Sequence, residues 1–309
     1  MTRIPLDAWA RDGRTFQHRG HAIFTREAGP EDADALVLIH GFPTASWDWE
    51  ALWPELARRF HVFALDMIGF GLSAKPKDYA YSILDQADLF EAFLRSRDVR
   101  SYHVLAHDYG DTVTQELLAR QQEPGDRPRM LSAAFLNGGL FPETHRPVLI
   151  QRLLLSPLGP LIASLTRRTA LARNLRGIFG PDTPPDETLI DGFWSLLTTH
   201  DGPAVMPRLI RYIIERRQWR ARWVGAMQNA RIPLKLIAGT ADPISGAHMI
   251  ARYRTLVPQP DVTVLERIGH YPQVEAPAAV LAAYLAFREA RHSAPASAHS
   301  PPPRDPAGT

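Results

Sequence analysis

Residues 102–115 read YHVLAHDYGDTVTQ, an apolar run that passes into a helical pattern. The run predicts a buried strand that ends near His107, and the residues from Gly110 onward predict a helix. Small residues, Ala106 and Gly110, stand two positions before and two positions after Asp108. They allow the sharp turn of a nucleophile elbow, which raises the central side chain above the sheet. An aspartate at a helix start is also an ordinary N-cap, so this motif alone leaves both interpretations open.

Composition restricts the class of protein. A 45% hydrophobic and 22% charged chain of 309 residues fits a globular protein with a sizeable core. The net charge of +2 gives no case for nucleic-acid binding, and the absence of cysteine excludes disulfides and thiolate metal sites. Neither a signal peptide nor a run long enough to span a bilayer is evident. We therefore expect a cytoplasmic protein without a nucleic-acid partner.

Predicted strands and helices alternate through the first part of the chain and again near its end. This alternation predicts an α/β protein with a mostly parallel, doubly wound sheet, whose ligands bind at the carboxyl ends of the strands. The predicted strands are a weak one at 18–25 and clearer ones at 35–39, 62–66, 102–107, 130–136, 234–238 and 262–265. The predicted helices of this alternating part are 46–58, 83–95, one from residue 110, and 277–291.

Between these parts the strand pattern stops, and the chain reads as helices separated by proline and glycine. Such a block between two strands of one sheet predicts a helical cap over the sheet edge. We predict core at 1–139, cap at 140–228, core again at 229–291, and a disordered tail at 292–309, rich in Ser, Pro and Ala. The predicted cap helices are 148–155, 161–175, 188–197 and 206–217.

Two later strands are each followed by a residue that suits catalysis. Asp242 follows the strand at 234–238, and His270 follows the strand at 262–265. Each residue alone is more typical of a turn or a surface position. Together with Asp108 they give the order nucleophile, acid, histidine, which is the chain order of α/β-hydrolases. The joint pattern therefore predicts an α/β-hydrolase fold with a catalytic triad.

An aspartate nucleophile suits electrophilic saturated carbon, because the ester it forms can be hydrolysed. Asp108 is ionised at neutral pH and needs no base for its attack. His270 is then free to deprotonate the water that attacks the ester, while Asp242 orients the imidazole. The backbone N–H groups of Phe42 and Tyr109 are the expected oxyanion-hole donors.

The chain resembles the epoxide hydrolase and haloalkane dehalogenase group of α/β-hydrolases over about residues 18–290. HGFP at 40–43 and HDYG at 107–110 resemble the epoxide hydrolase forms. Dehalogenases usually carry asparagine at the position of Phe42 and tryptophan at that of Tyr109, both for halide. Segments 107–120, 136–147, 216–226 and 269–273 more closely resemble the mesoderm-specific transcript family. The resemblance implies an epoxide hydrolase-like enzyme that needs no cofactor and no metal ion.

Epoxide hydrolases use two cap tyrosines to protonate the opening oxide. Tyr212, in RYIIERRQW at 211–219, resembles the second of them, although a packed helix residue is the alternative interpretation. The cap offers no second tyrosine, and Tyr271 is a substitute candidate. We also predict that Trp47, His107 and Tyr271 face the substrate pocket.

Several alternatives stay open from the sequence. Haloalkane dehalogenation, a luciferase-like cofactor-free oxygenation, and non-catalytic binding of a lipid or small molecule are the competing functions. We expect a small hydrophobic substrate. The many cap arginines predict either a solvated face or peripheral contact with an anionic membrane or acidic substrate. Monomer and homodimer are both compatible with the sequence.

Overall fold

The computed structural model describes residues 3–292 and contains one eight-stranded sheet. The predicted tail at 292–309 lies, apart from the backbone of its first residue, outside the described residues. The strands are β1 (Arg14–His18), β2 (His21–Ala28), β3 (Ala35–Ile39), β4 (His61–Leu65), β5 (Ser101–His107), β6 (Arg129–Leu136), β7 (Leu234–Gly239) and β8 (Asp261–Leu265).

The sheet order is β1-β2-β4-β3-β5-β6-β7-β8, with every pair from β4 to β8 parallel. β1 and β2 form an antiparallel hairpin at one edge, where the sequence had indicated a weak strand. β5, which ends at His107, lies between β3 and β6 and is buried along almost its whole length. The predicted mostly parallel, doubly wound α/β sheet is confirmed.

Helices cover both faces of the sheet, and seven of them, α5 to α11, lie between β6 and β7; we call the first six of these, α5 to α10, the inserted helices. The first helices are α1 (Leu6–Arg11), α2 (Trp53–Ala57), α3 (Ile83–Ser96), α4 (Tyr109–Arg120), α5 (Leu149–Leu155), α6 (Gly159–Ser164) and α7 (Arg168–Ile178). The others are α8 (Glu187–Thr198), α9 (Met206–Leu209), α10 (Tyr212–Gln218), α11 (Arg220–Gln228), α12 (Ala247–Leu256), α13 (Pro272–Glu275) and α14 (Pro277–His292).

The helix predicted at 46–58 is wrong. This segment forms a 3₁₀ turn at Ser46–Trp49 and then the short helix α2. The backbone N–H of Ser46 donates to Asp66 at 2.8 Å, which fixes the turn against the loop after β4. Pro54 has no N–H to continue a helix from the turn, so α2 begins one residue before it.

Two helices predicted as continuous are each broken. The range 161–175 contains parts of α6 and α7, separated where Arg167 adopts an extended backbone, with φ −132° and ψ 151°. The range 206–217 contains α9 and part of α10. Neither break carries a glycine or proline, so apolar periodicity alone gave no sign of it. Helices α1, α11, α12 and α13 were not predicted.

The inserted helices lie over the carboxyl ends of the strands, but α11 packs along α4 of the core. Trp223 and Arg222 of α11 both donate hydrogen bonds to Glu116 of α4. The range 140–228 predicted as the cap thus includes one helix, α11, that packs on the core helix α4. Within residues 3–292, no helix has both the length and the apolarity needed to cross a membrane.

Candidate active site

Asp108 stands at a strained turn between β5 and α4. It adopts φ 46° and ψ −102°, which residues other than glycine rarely do. The turn requires Gly110, because a Cβ atom there would lie 2.4 Å from the carbonyl oxygen of Ile39. The Asp108 side chain does not cap α4; its Oδ2 atom accepts from the backbone N–H of Phe42 at 3.2 Å. The N-cap alternative therefore does not hold, and the geometry is that of a nucleophile elbow.

His270 and Asp242 lie together beside the elbow. His270 Nδ1 is 2.8 Å from Asp242 Oδ2, which fixes the imidazole orientation. The same carboxylate accepts from the Asn137 amide at 3.0 Å, the Ser245 hydroxyl at 2.7 Å and the Ile244 N–H at 2.7 Å. Although burial favours the neutral acid, His270 and these donors lower the pKa of Asp242 to about 2. Asp242 is thus a buried, fully paired anion.

The charge state of His270 follows from its two neighbouring carboxylates. Burial by itself lowers the pKa of His270, but Asp242 and Asp108 together raise it to about 9. Conversely, although burial raises the pKa of Asp108, the charges of His270 and Arg216 bring it below its ordinary value. At neutral pH the resting site therefore holds an ionised Asp108 and a protonated His270.

An apolar cavity of about 280 Å³ borders Asp108 and His270. Most of its wall comes from the inserted helices, and the core contributes residues from the loops after its strands. The lining residues are Phe42, Pro43, Asp108, Val148, Ile150, Gln151, Leu154, Ile162, Leu165, Thr166, Ala170, Leu171, Asn174, Leu175, Ile178, Leu197, Met206, Ile244 and His270. This wall suits a small hydrophobic molecule with its reactive carbon near Asp108.

The three residues predicted to face the pocket do not line this cavity. Trp47 is buried, donates its indole N–H to the Ile4 carbonyl at 2.9 Å, and packs against Phe193. Burial and the charge of His270 lower the pKa of His107 to about 3, so His107 is neutral. Its Nε2–H donates to the His270 carbonyl at 2.7 Å, which supports the histidine loop from behind. The prediction for Trp47 and His107 is therefore corrected: Trp47 packs in the core, and His107 supports the His270 loop.

Tyr271, the third of these, stacks on Phe179 with 5.4 Å between ring centroids. Its hydroxyl donates to the Phe42 carbonyl at 3.4 Å and is fully buried. Burial and neighbouring carboxylates raise its pKa well above the ordinary range. Because its hydroxyl already donates to the Phe42 carbonyl, Tyr271 is a poor substitute for the absent second cap tyrosine.

Tyr212 is 1% exposed and lies on the first turn of α10, against the elbow. Its ring packs on Tyr109 and Phe42, with centroids 4.7 and 6.0 Å away. Its hydroxyl has no hydrogen-bond partner of normal geometry among residues 3–292, yet Asp108 and Arg216 are close enough to shift its pKa. Burial, followed by the charge of Asp108, raises the pKa of Tyr212, so the phenol stays protonated. It does not itself line the cavity.

Arg216 is a residue of the site that the sequence interpretation missed. It is 2% exposed, and its Nη2 atom donates to the Asp108 carbonyl at 3.0 Å and lies 3.5 Å from Asp108 Oδ1. Its Nε–H donates to Thr112, and its guanidinium lies 4.4 Å from the Tyr212 ring centroid. Arg216 follows Tyr212 by four positions, so the two share a helix face. That spacing was the available signal among the twelve arginines of the predicted cap, which otherwise look alike.

Comparison with known proteins agrees with this geometry. The family model described as alpha/beta hydrolase fold matches residues 34–277. The chain belongs to the α/β-hydrolase fold family. It is 41% identical to the mesoderm-specific transcript protein of Mus musculus over 295 residues, which cover 91% of this chain and 87% of that protein. The resemblance inferred from the sequence motifs is therefore confirmed.

Solved structures share the α/β-hydrolase fold at lower identity. Epoxide hydrolase CorEH superposes with a TM-score of 0.75 at 17% identity, covering 90% of this chain and 99% of its own. Haloalkane dehalogenase DbeA from Bradyrhizobium elkani superposes with a TM-score of 0.75 at 22% identity, covering 90% and 99%. These similarities establish the fold. Among residues 3–292, no cluster of three or more His, Cys, Asp or Glu residues is arranged to hold a metal ion.

Proposed function

We propose that this α/β-hydrolase hydrolyses small hydrophobic epoxides through a covalent ester on Asp108. The observation that carries the proposal is the Asp108 carboxylate itself. It occupies the elbow, caps no helix, accepts from Phe42, and borders an apolar cavity together with His270. A carboxylate in this position can attack an electrophilic carbon without a base.

In the first step an Asp108 oxygen attacks one ring carbon of the epoxide. The carbon–oxygen ring bond breaks, its electron pair passes to the ring oxygen, and Tyr212 supplies the proton. The buried phenol near Asp108 supports this role, with Arg216 against its ring to favour the phenolate. The product of this step is a hydroxyalkyl ester of Asp108.

In the second step His270 removes a proton from water, which attacks the ester carbonyl carbon of Asp108. We assign the oxyanion to two backbone donors, the Phe42 N–H, which donates to Asp108 Oδ2 in the resting site, and the Tyr109 N–H, the first of α4. Collapse breaks the bond to the alkyl oxygen, which takes the proton from His270 and leaves as the diol. The new Asp108 acid returns its proton to the Tyr212 phenolate, so all charges are restored.

Esterification of Asp108 favours the neutral form of His270, which is the form that can act as a base. In the resting site the Asp108 charge helps to raise the pKa of His270 to about 9. The ester carries no charge, so the pKa of His270 falls when Asp108 is alkylated. The histidine is therefore protonated while the carboxylate attacks. After alkylation it releases that proton to solvent and serves as the base, and it takes a proton back from solvent once the Asp108 charge returns.

Haloalkane dehalogenation is less well supported by the residues around the elbow. Phe42 and Tyr109 stand where dehalogenases usually carry the halide-binding asparagine and tryptophan. The Tyr109 ring packs between Phe70 and Tyr212, with centroids 5.2 and 4.7 Å away, and provides no indole N–H. A leaving halide thus lacks the donors that a leaving epoxide oxygen finds in Tyr212.

Tyr212→Phe tests the epoxide assignment. With a panel of terminal epoxides, we expect wild type to form diols and Tyr212→Phe to form them about 10²- to 10⁴-fold more slowly, because general acid catalysis is lost. Product formation is measured by mass spectrometry under single-turnover conditions. Tyr284→Phe is the matched control, since that buried hydroxyl on α14 also has no hydrogen-bond partner among the described residues. Undiminished ring opening in Tyr212→Phe would remove its role as the acid.

Arg216→Met is expected to shift the pH dependence of ester formation. His270, Arg216 and His107 all face Asp108, and Asp111 lies one turn further on α4. Asp108 reacts only when ionised, so its lowered pKa keeps ester formation active in mildly acidic solution. Without the guanidinium the pKa of Asp108 rises. As the pH falls, we therefore expect Arg216→Met to lose ester formation at a pH about 1 to 3 units higher than wild type does. Rapid-quench mass spectrometry at a series of pH values measures the rate of ester formation. Arg216→Lys, which keeps the charge, should shift the pH dependence less. An unchanged pH dependence of ester formation in Arg216→Met would contradict the electrostatic role of Arg216.

A further inference from the structure

Five of the six large hydrophobic side chains that are exposed among residues 3–292 lie on α5, α6 and the residues that flank α6. We call them the leucine face. The sixth is Trp219, 39% exposed, at the junction of α10 and α11. The members of the leucine face and their exposed fractions are Leu149 (72%), Leu153 (37%), Leu158 (61%), Leu161 (57%) and Leu165 (59%). A cluster of this kind marks an interaction surface, because scattered single residues are the normal pattern.

The chain segment that carries the leucine face contains charge of one sign. Residues 144–181 contain six arginines and no aspartate or glutamate. Two of the six, Arg168 and Arg176, pair with acids on α8. Arg152, Arg167 and Arg173 are exposed and form no ion pair with any residue that the structure describes. The surface therefore combines protruding leucines with uncompensated positive charge.

The leucine face also adjoins the entrance to the active-site cavity. Leu165 lines the cavity and is 59% exposed, so the cavity wall reaches the surface there. Ile150 and Leu154 on α5, and Ile162 on α6, line the cavity from the other faces of the same helices. A hydrophobic molecule that reaches the cavity past Leu165 would thus pass the leucine face first.

We propose that the leucine face docks on an anionic lipid bilayer, with the leucines inserted below the headgroups and Arg152, Arg167 and Arg173 among the lipid phosphates. Apolar side chains flanked by arginines are the combination by which helices lie in a membrane interface. Each basic residue near such a surface adds attraction to anionic lipid. The bilayer would hold a hydrophobic substrate at high concentration beside the cavity entrance.

Other occupants fit the same surface less well. Residues 293–309 contain no Leu, Ile, Val, Met, Phe, Tyr or Trp, so that segment has no apolar side chain of a size to cover the leucines. A second copy joined by a two-fold axis would bring two arginine-rich surfaces against each other. An anionic bilayer satisfies both the apolar and the positive parts of the surface.

Vesicle co-sedimentation of the full chain tests the proposal without reference to catalysis. We expect binding to phosphatidylcholine vesicles with about 30% phosphatidylserine, weaker binding to phosphatidylcholine alone, and release in about 0.5 M salt. Leu158→Ser with Leu161→Ser should reduce binding at least about tenfold, because two inserted side chains are lost. Neither leucine lines the cavity, so epoxide turnover in detergent-free buffer should be unchanged. Arg152→Gln with Arg173→Gln should weaken vesicle binding and should also make the remaining binding less sensitive to salt concentration.

Trp219→Ser is the matched control, since it removes the exposed hydrophobic side chain outside the leucine face. Binding that Trp219→Ser reduces as much as the double leucine variant does overturns the proposal, as does failure of wild type to bind either vesicle. Sedimentation velocity provides the remaining outcome. A wild-type dimer that the double leucine variant converts to monomer shows that a second copy covers this face, and that too overturns the proposal.

Discussion

His270→Ala is expected to trap the protein as a covalent ester on Asp108. Arg216 and the Phe42 N–H still favour the Asp108 carboxylate when His270 is removed, so attack on an epoxide persists. Hydrolysis of the ester needs a base, and loss of a general base typically costs about 10²- to 10⁴-fold. The adduct therefore accumulates. Intact-protein mass spectrometry should show wild-type mass, less the His-to-Ala difference, plus one whole substrate.

The same spectrum separates the two enzyme classes. An epoxide adds its full mass because no group leaves, whereas a haloalkane adds only its alkyl group and releases halide. Digestion should place the added mass on the peptide that contains Asp108. His21→Ala is the control, since His21 lies on β2 and packs on Tyr79, away from the cavity. If wild type turns the substrate over and His270→Ala stays at its unmodified mass, the two-step mechanism fails.

Asp108→Ala is expected to abolish turnover while the fold is kept. The Asp108 side chain makes no cap contact with α4, so its removal leaves the elbow hydrogen bonds of the backbone in place. Loss of a covalent nucleophile removes the whole ester pathway, and we expect a fall of at least about 10⁴-fold. Diol formation over hours measures the residual rate, and circular dichroism checks the fold.

Asp108→Gly is the matched partner for this variant. The positive φ of residue 108 strains alanine as it strains aspartate, whereas glycine adopts it freely. Both variants should be inactive, but Asp108→Gly should unfold at a higher temperature than Asp108→Ala in thermal melts. Substantial activity in a well-folded Asp108→Ala protein would exclude Asp108 as the nucleophile.

The central features of this protein could be predicted from local sequence because local residue types cause them. The buried strands β3 and β5 follow from short apolar runs, and their observed bounds differ from the predicted ones by at most one residue. Gly110 allows the sharp turn at Asp108, as a small residue does at this position of an elbow in general. A histidine or an aspartate that follows a parallel strand lies at the same sheet edge as Asp108. The alignment of Asp242 with His270 follows from β7 and β8 being neighbours.

The inserted helices were harder to predict because their ends depend on what they pack against. α6 and α7 separate without a glycine or proline between them, and the segment at 46–58 takes its shape from the contact of Ser46 with Asp66. Apolar periodicity records which residues are buried, but not where a helix stops to follow the surface beneath it.

Tertiary structure alone decided which side chains surround Asp108 and the cavity. Arg216 reaches Asp108 from 108 positions along the chain, and only its four-residue spacing from Tyr212 distinguishes it from the exposed arginines nearby. Trp47 and Tyr271 are aromatic residues close to catalytic loops, yet packing turns them away from the cavity. The leucines of α5 and α6 are apolar like core residues, and only the arrangement of the helices leaves them exposed. Residue type determines what a side chain can do, whereas contacts between distant segments determine where it does so.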